Sequence, residues 1–86
     1  MEAVLPHYFF HLYNEEVLKD QSGEDFIDEG AARRAAIRGI SELIAENIVQ
    51  GKLVDLSDRI EVADAHGRIV TTITFGDLFR VRAPPA

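Results

Sequence analysis

The sequence predicts an α+β fold of order β-β-α-β-β, with one mainly antiparallel sheet and a single amphipathic helix packed on one face. Three observations lead there. Residues 28–51 form one helix-length segment with apolar side chains at helical spacing. Two strand-like segments precede it and two follow it. A chain of 86 residues suffices for one domain with a modest core and is too short for two. The expectation is a single domain over 1–86, ordered across about 6–80, with residues 81–86 as a flexible tail.

The first strand is expected at His7–Tyr13, a run dense in aromatics and free of Gly and Pro. Asn14-Glu15-Glu16 turns the chain, and Val17-Leu18-Lys19 supplies a short return strand. Asp20–Asp25 reads as a loop in which Gly23 is free to take positive φ. Phe26 and Ile27 anchor the chain before the helix starts.

Asp28 suits the helix N-cap, because its carboxylate accepts from orphan amides and favours the positive helix end. At about 100° per residue, Ala32, Ala36, Ile37, Ile40, Leu43, Ile44 and Ile48 share one broad face. Arg34, Arg38, Ser41, Glu42 and Ala45 fall opposite, and Glu42 and Glu46 follow Arg38 at i+4 steps, so partial charge pairing is possible there. The small residues Ala32, Ala36 and Gly39 would bring the first half of the helix close to the sheet. Gly51 closes the helix in the left-handed position. Arg33 and Asn47 interrupt the apolar face; both could line a pocket, or serve as a snorkelling stem and a partner for terminal backbone groups.

After the turn-rich Asp55–Asp58, the segments Arg59–Ala63 and Arg68–Phe75 flank Asp64-Ala65-His66-Gly67, a hairpin loop. A four-residue loop sets Val62 against Ile69 and Ile60 against Thr71, which gathers Ile60, Val62, Ile69, Ile73 and Phe75 on one face. A three-residue loop with a bulge sets Ile60 and Val62 with Val70 instead. The first register is preferred because it collects more apolar area on one side. Gly76–Phe79 suggests a short helical turn.

The composition, 47% hydrophobic and 28% charged, is that of a globular chain. With no cysteine there is no disulfide or thiolate chemistry, and a reducing compartment is compatible. Met1–Pro6 has neither the basic region nor the apolar run of a signal peptide, and no stretch nears the ~18 apolar residues of a membrane span. The expected location is cytoplasmic. The net charge of −6 is local: Glu15, Glu16, Asp20, Glu24, Asp25, Asp28 and Glu29 against Lys19 account for all of it. Such a balance disfavours docking on phosphate backbones.

Tyr8-Phe9-Phe10-His11, Asp20, Gly23, the Ala32–Ala36 helix start, Ile60-Glu61-Val62-Ala63-Asp64, Gly67 and Phe75 together resemble a family of short uncharacterised bacterial proteins, a domain of unknown function. The likeness runs from about Tyr8 to Phe75, and its distinctive parts are the Tyr-Phe-Phe-His start and the Asp-x-x-Gly loop. It implies a compact stand-alone domain and carries no activity or ligand. A looser, architectural likeness is to HicB-type antitoxins, where short strands precede an alanine-rich helix; here two strands rather than three are expected ahead of it.

Strand alternation places Tyr8, Phe10 and Leu12 on one face and His7, Phe9, His11 and Tyr13 on the other. With the helix on the first set, the second set becomes an aromatic and histidine stripe on the open face. It is the candidate interaction surface, for a partner protein or for a second copy in a homodimer; ordinary packing under loops and base stacking are the competing readings. His7 and His11 lie ~13 Å apart along a strand, too far to share one ion. His66 reads as a solvated turn residue, so no metal site and no cofactor is expected. The acidic segment departs from a calcium loop, with Gly fourth and Ala31 where a bidentate Glu belongs. It reads as a solvated connector or as a docking loop for a basic partner, through Glu15, Glu16, Glu24 and Asp25. Ser22, Ser41 and Ser57 lack a nucleophile context, so an enzyme is not expected. The expected function is a small non-enzymatic interaction module that self-associates through the open sheet face. The alternative is a nucleic-acid-associated or antitoxin-like regulator, which needs Arg33, Arg34, Arg38, Arg59 and Arg68 in one patch.

Overall fold

The computed structural model of the chain describes residues 4–80 and 82. The tail expected at 81–86 therefore lies outside the described residues, save Arg82. The elements run β1 (His7–Tyr13), β2 (Val17–Leu18), β3 (Glu24–Asp25), α1 (Glu29–Val49), β4 (Arg59–Ala63) and β5 (Ile69–Thr74), followed by a 3-10 turn at Phe75–Leu78. All pairings are antiparallel, in the order β2-β1-β4-β5, with β3 also on β1. The α+β class with one sheet and one helix is as expected. A fifth strand is not: the segment read as a loop through Asp25 contributes two residues that pair His7 with Asp25 and Tyr8 with Glu24.

Asp20 explains how so short a strand forms. Its carboxylate accepts the backbone N–H of Phe10 at 3.1 Å, of Ser22 at 3.2 Å and of Gly23 at 3.0 Å. The carbonyl of Tyr8 points at Gly23, and Phe10, two residues on, directs its amide to the same edge. Along that edge β2 covers one end of β1 and β3 covers the other, while Asp20 takes up the donor between them. Gly23 is required there: its φ is +65°, and a Cβ would lie 2.6 Å from the Tyr8 carbonyl oxygen.

The helix begins as expected, with Asp28 accepting from the Ala31 amide at 2.7 Å. It ends at Gly51, φ +72°, with Lys52 N–H bonded to the Asn47 carbonyl and Gly51 N–H to that of Ile48, a Schellman closure. Ala32, Ala36, Ile40 and Ile44 are buried against Tyr8, Ile60, Val62, Ile73 and Phe75. Ile37 and Leu43 pack at the margin, with Phe10, Leu12, Phe26 and Val70. Each fully buried Ile, Val or Phe contributes about 1.5–3 kcal/mol. Two residues expected on the buried face are not there. Ile48 is 58% exposed, because the sheet ends before the last helical turn, and Gly39 faces solvent with nothing within 4 Å of a built Cβ. Arg38 forms no ion pair with Glu42 or Glu46; the ion pairs among the described residues are His7–Asp25, Arg59–Glu61 and Arg68–Asp64.

The β4–β5 hairpin takes the alternative three-residue loop with a bulge rather than the preferred four-residue loop, and Val70 packs against the core that holds Ile60 and Val62. Asp64 N–H bonds to the Arg68 carbonyl at 2.9 Å, and Gly67 takes φ +83°, so three residues form the loop. A bulge opposite Val62/Ala63 then offsets the ladder, setting Val62 against Thr71 and Ile60 against Ile73. The offset keeps Ile60, Val62 and Ile73 together under the helix and leaves Ile69 47% exposed. Phe75 N–H reaches back to the Asp58 carbonyl at 2.7 Å, so the alternate amides of Thr72 and Thr74 point to the outer edge. Asp77 takes the Thr74 amide at 3.1 Å.

Candidate functional site

Strand alternation on β1 and β4 builds one surface, the sheet face away from the helix. From β1 it receives His7, Phe9, His11 and Tyr13; pairing sets Asp25 beside His7, Ala63 beside Phe9, Glu61 beside His11 and Arg59 beside Tyr13. All four β1 residues are half-buried, and no described element packs over them. The rings touch in sequence: His7 meets Phe9 edge-on at 5.1 Å and 72°, and Phe9 lies near-parallel to His11 at 6.5 Å.

Each end of this stripe is held differently. At the Tyr13 end, the Arg59 guanidinium lies 4.2 Å from the ring centroid and the Lys19 ammonium 5.0 Å, a doubly cationic aromatic site. Lys19 also donates to the Tyr13 hydroxyl at 2.6 Å, and Arg59 pairs with Glu61 at 3.1 Å. At the other end His7 contacts Asp25 through Nδ1 at 2.5 Å and the Ser22 carbonyl through Nε2 at 2.6 Å. In the middle, the Asp20 backbone N–H donates to His11 Nδ1 at 3.1 Å. That bond selects, in the neutral ring, the tautomer with its proton on Nε2.

The carboxylates fall into separate roles. Asp20 is internal to the turn: burial works to raise its pKa, but the Gly23, Phe10 and Ser22 amides outweigh burial and hold it below the usual carboxylate value. Asp28 is the helix cap. Glu24 and Asp25 lie at the His7 end of β1, whereas Glu15 and Glu16 lie beyond Tyr13, on the order of 20 Å away by strand rise. The four residues of the expected docking loop are thus not brought together on one surface. Glu15 instead joins Asp58, Asn14, Asn47 and Lys52 around a cavity of about 440 Å³ at the helix C-terminal end. There burial, with Asp55 and Glu15 nearby, pushes the Asp58 carboxyl up. Asn47 lines this cavity, while Arg33 is exposed.

Lys19, Arg59 and Glu61 belong to the open face and were not singled out for it from the sequence. Period-two alternation on β4, with Ile60 and Val62 inward, carries the signal for the two β4 residues. His66 sits on the exposed hairpin tip. Among the described residues no group of three His, Cys, Asp or Glu side chains is placed to hold a metal ion, and no helix is long and apolar enough to cross a membrane.

Residues 7–76 match the model of a family described as a domain of unknown function, DUF6894. No curated protein and no solved structure matches the chain. The matched span runs from the first residue of β1 into the 3-10 turn, and so contains the stripe, the Asp20 turn and the whole core.

Proposed function

The chain belongs to the DUF6894 family, a domain of unknown function, and we propose that it is a small non-enzymatic interaction module that associates with a second copy of itself through the open sheet face. The observation that carries this reading is the continuous ring stripe His7-Phe9-His11-Tyr13, half-buried on its own sheet and covered by no described element. Part-exposed aromatics beside Arg are the residue types on which interfaces concentrate their binding energy. The face is also self-complementary in charge. Lys19 and Arg59 mark one end, Asp25 the other. A two-fold axis near His11 would set each basic end against the acidic end of the other copy. A bacterial, cytoplasmic setting, no cofactor and no membrane contact go with this reading.

Size sets the strength. The four-strand face measures roughly 20 Å by 15 Å, well short of the ~800 Å² per partner of a standard interface. The dimer therefore belongs to the weak class, forming at tens to hundreds of micromolar (~7–4 kcal/mol of binding). Sedimentation across about 10 µM to 1 mM should show mass rising towards a dimer, and Phe9→Asp should hold the monomer at every concentration without loss of stability. A monomer throughout, or Phe9→Asp associating like the parent, overturns the proposal.

The second reading, an antitoxin-like or nucleic-acid-associated regulator, draws support from the third strand ahead of the helix and from two cations on the aromatic face. Against it, Arg33, Arg34 and Arg38 lie on α1, while Arg59 and Arg68 sit at opposite ends of the hairpin, each paired with its own carboxylate. A low-salt titration with single- and double-stranded nucleic acid separates the two readings, since phosphate-driven binding weakens steeply with salt.

A further inference from the structure

His7 faces two groups that can only accept. Its Nδ1 lies 2.5 Å from the Asp25 carboxylate, and its Nε2 lies 2.6 Å from the Ser22 carbonyl oxygen. A neutral imidazole carries one N–H, so one of its nitrogens would present a lone pair to an acceptor at contact distance. The imidazolium, with two N–H groups, satisfies both. The ring is also seated on the turn: a Cβ at Gly23 would come within 2.7 Å of Nε2.

We propose that His7 is a pH-operated latch, which in its protonated form ties Ser22 and Asp25 to the start of β1 and on deprotonation lets β3 open. The geometry defines what moves. β3 pairs through two residues only, Glu24 and Asp25. On one side of it Asp20 holds the Ser22 and Gly23 amides, and on the other Phe26 is pinned by its amide to the Pro6 carbonyl and by stacking on Phe10 at 5.6 Å. Release is therefore a local opening hinged between Asp20 and Phe26, and it uncovers the edge of β1 at His7 and Tyr8.

The charged groups bearing on the ring are Asp25 of β3 and Asp20 of the preceding loop, and both favour the imidazolium; from β1 itself the ring meets uncharged Phe9. The hydrogen bond to Asp25, followed by that to Ser22, raises the His7 pKa above its ordinary 6.5. The sign follows: with a raised folded value, the latch is fully engaged below the ordinary value and is lost as pH rises through the folded one. Linkage makes the proposal quantitative. Each pH unit by which the closed-state value exceeds that of the open state multiplies the opening equilibrium by ~10 at high pH.

The test pairs two measurements on the dilute full chain. The His7 ring is titrated by NMR, and hydrogen exchange is followed at the amides of Tyr8, Glu24 and Phe26, which point across the β1–β3 edge, corrected for the intrinsic pH dependence of exchange. Protection in β3 should fall across the His7 titration by the factor that its midpoint shift dictates, while the amides of Ile40 and Ile44 keep theirs. Asp25→Asn should lower the midpoint and loosen β3 already at pH ~6. His7→Phe, a ring with no N–H to donate to either partner, should leave β3 protection low and independent of pH. Exchange in β3 that ignores the His7 titration, or a midpoint unmoved by Asp25→Asn, overturns the latch. These readouts are taken on the monomer and stand or fall separately from self-association.

Discussion

Replacing Asp20 with Ala removes one acceptor that serves three backbone amides, and the cost can be worked from where each amide lies. The Phe10 amide sits in β1, partly buried, with the Asp20 carboxylate at 3.1 Å as its partner. Leaving such a donor unmet costs about 1–3 kcal/mol. The Ser22 amide is exposed and the Gly23 amide part-buried but in a turn that can admit water once the carboxylate is gone, so their bonds at 3.2 and 3.0 Å are taken at the low end, ~0.5 kcal/mol each. The sum is about 2–4 kcal/mol. Against the ~4–13 kcal/mol expected for a chain of 86 residues, that is a large fraction. It corresponds to a fall in Tm of roughly 10–25 °C. Asp20→Asn keeps one carbonyl oxygen and should lose about half as much. Urea and thermal unfolding followed by circular dichroism measure the global loss, and exchange at the Phe10 amide shows whether it arises where the bond was broken. A loss under ~0.5 kcal/mol in Asp20→Ala would refute the carboxylate's role in holding the edge. The depressed Asp20 pKa adds a pH signature: its contribution is present above the ordinary value of 3.8 and disappears as pH falls through the lower folded value.

Gly23→Ala places a Cβ 2.6 Å from the Tyr8 carbonyl at φ +65°, so it should destabilise by at least ~2 kcal/mol and detach β3, read as lost protection at the Tyr8 and Glu24 amides. Asp28→Ala should cost ~1 kcal/mol through the lost cap on Ala31, with the sheet signals in NMR spectra unchanged. The bulge register is tested by a pair: Ile73→Val, at a site 1% exposed, should cost about 0.5–1.5 kcal/mol, while Ile69→Val, 47% exposed, should change stability by less than ~0.5 kcal/mol.

The elements read correctly from sequence are those encoded locally. β1 shows in its aromatic alternation, and the limits of α1 show in Asp28 and Gly51, where cap chemistry is a property of one residue and its next few neighbours. The stripe of His7, Phe9, His11 and Tyr13 follows from that alternation once the helix is assigned to the other face. β3 was invisible because Glu24 and Asp25 have low strand propensity and pair only because Asp20 and His7 hold them in place. The run of acids looked like one solvated charge patch for the same reason: Asp20, Asp25 and Asp28 each answer to a distant or local partner that spacing does not disclose. The preferred hairpin register misses the bulge because no glycine marks it, and a four-residue loop gathers Ile60, Val62 and Ile73 on one face just as well. Gly39 was misplaced because its small size suggested close approach, whereas Ile40 and Ile44 decide which way the helix turns.

The Asp77 carboxylate on the Thr74 amide bears on how this protein fails rather than how it folds. The β5 sequence Ile-Val-Thr-Thr-Ile-Thr is uncharged, β-branched throughout and free of proline, the composition of a segment prone to stack into fibrils. In the native sheet that hazard is contained: the bulge distorts one end of the strand, Asp77 occupies the other, and the outward backbone left between them centres on Thr72. Unfolding removes both guards at once. Core substitutions such as Ile73→Ala should therefore convert soluble chain into aggregate instead of a reversibly unfolded monomer, and Asp77→Ala should raise fibril formation out of proportion to its effect on stability, as thioflavin fluorescence would record.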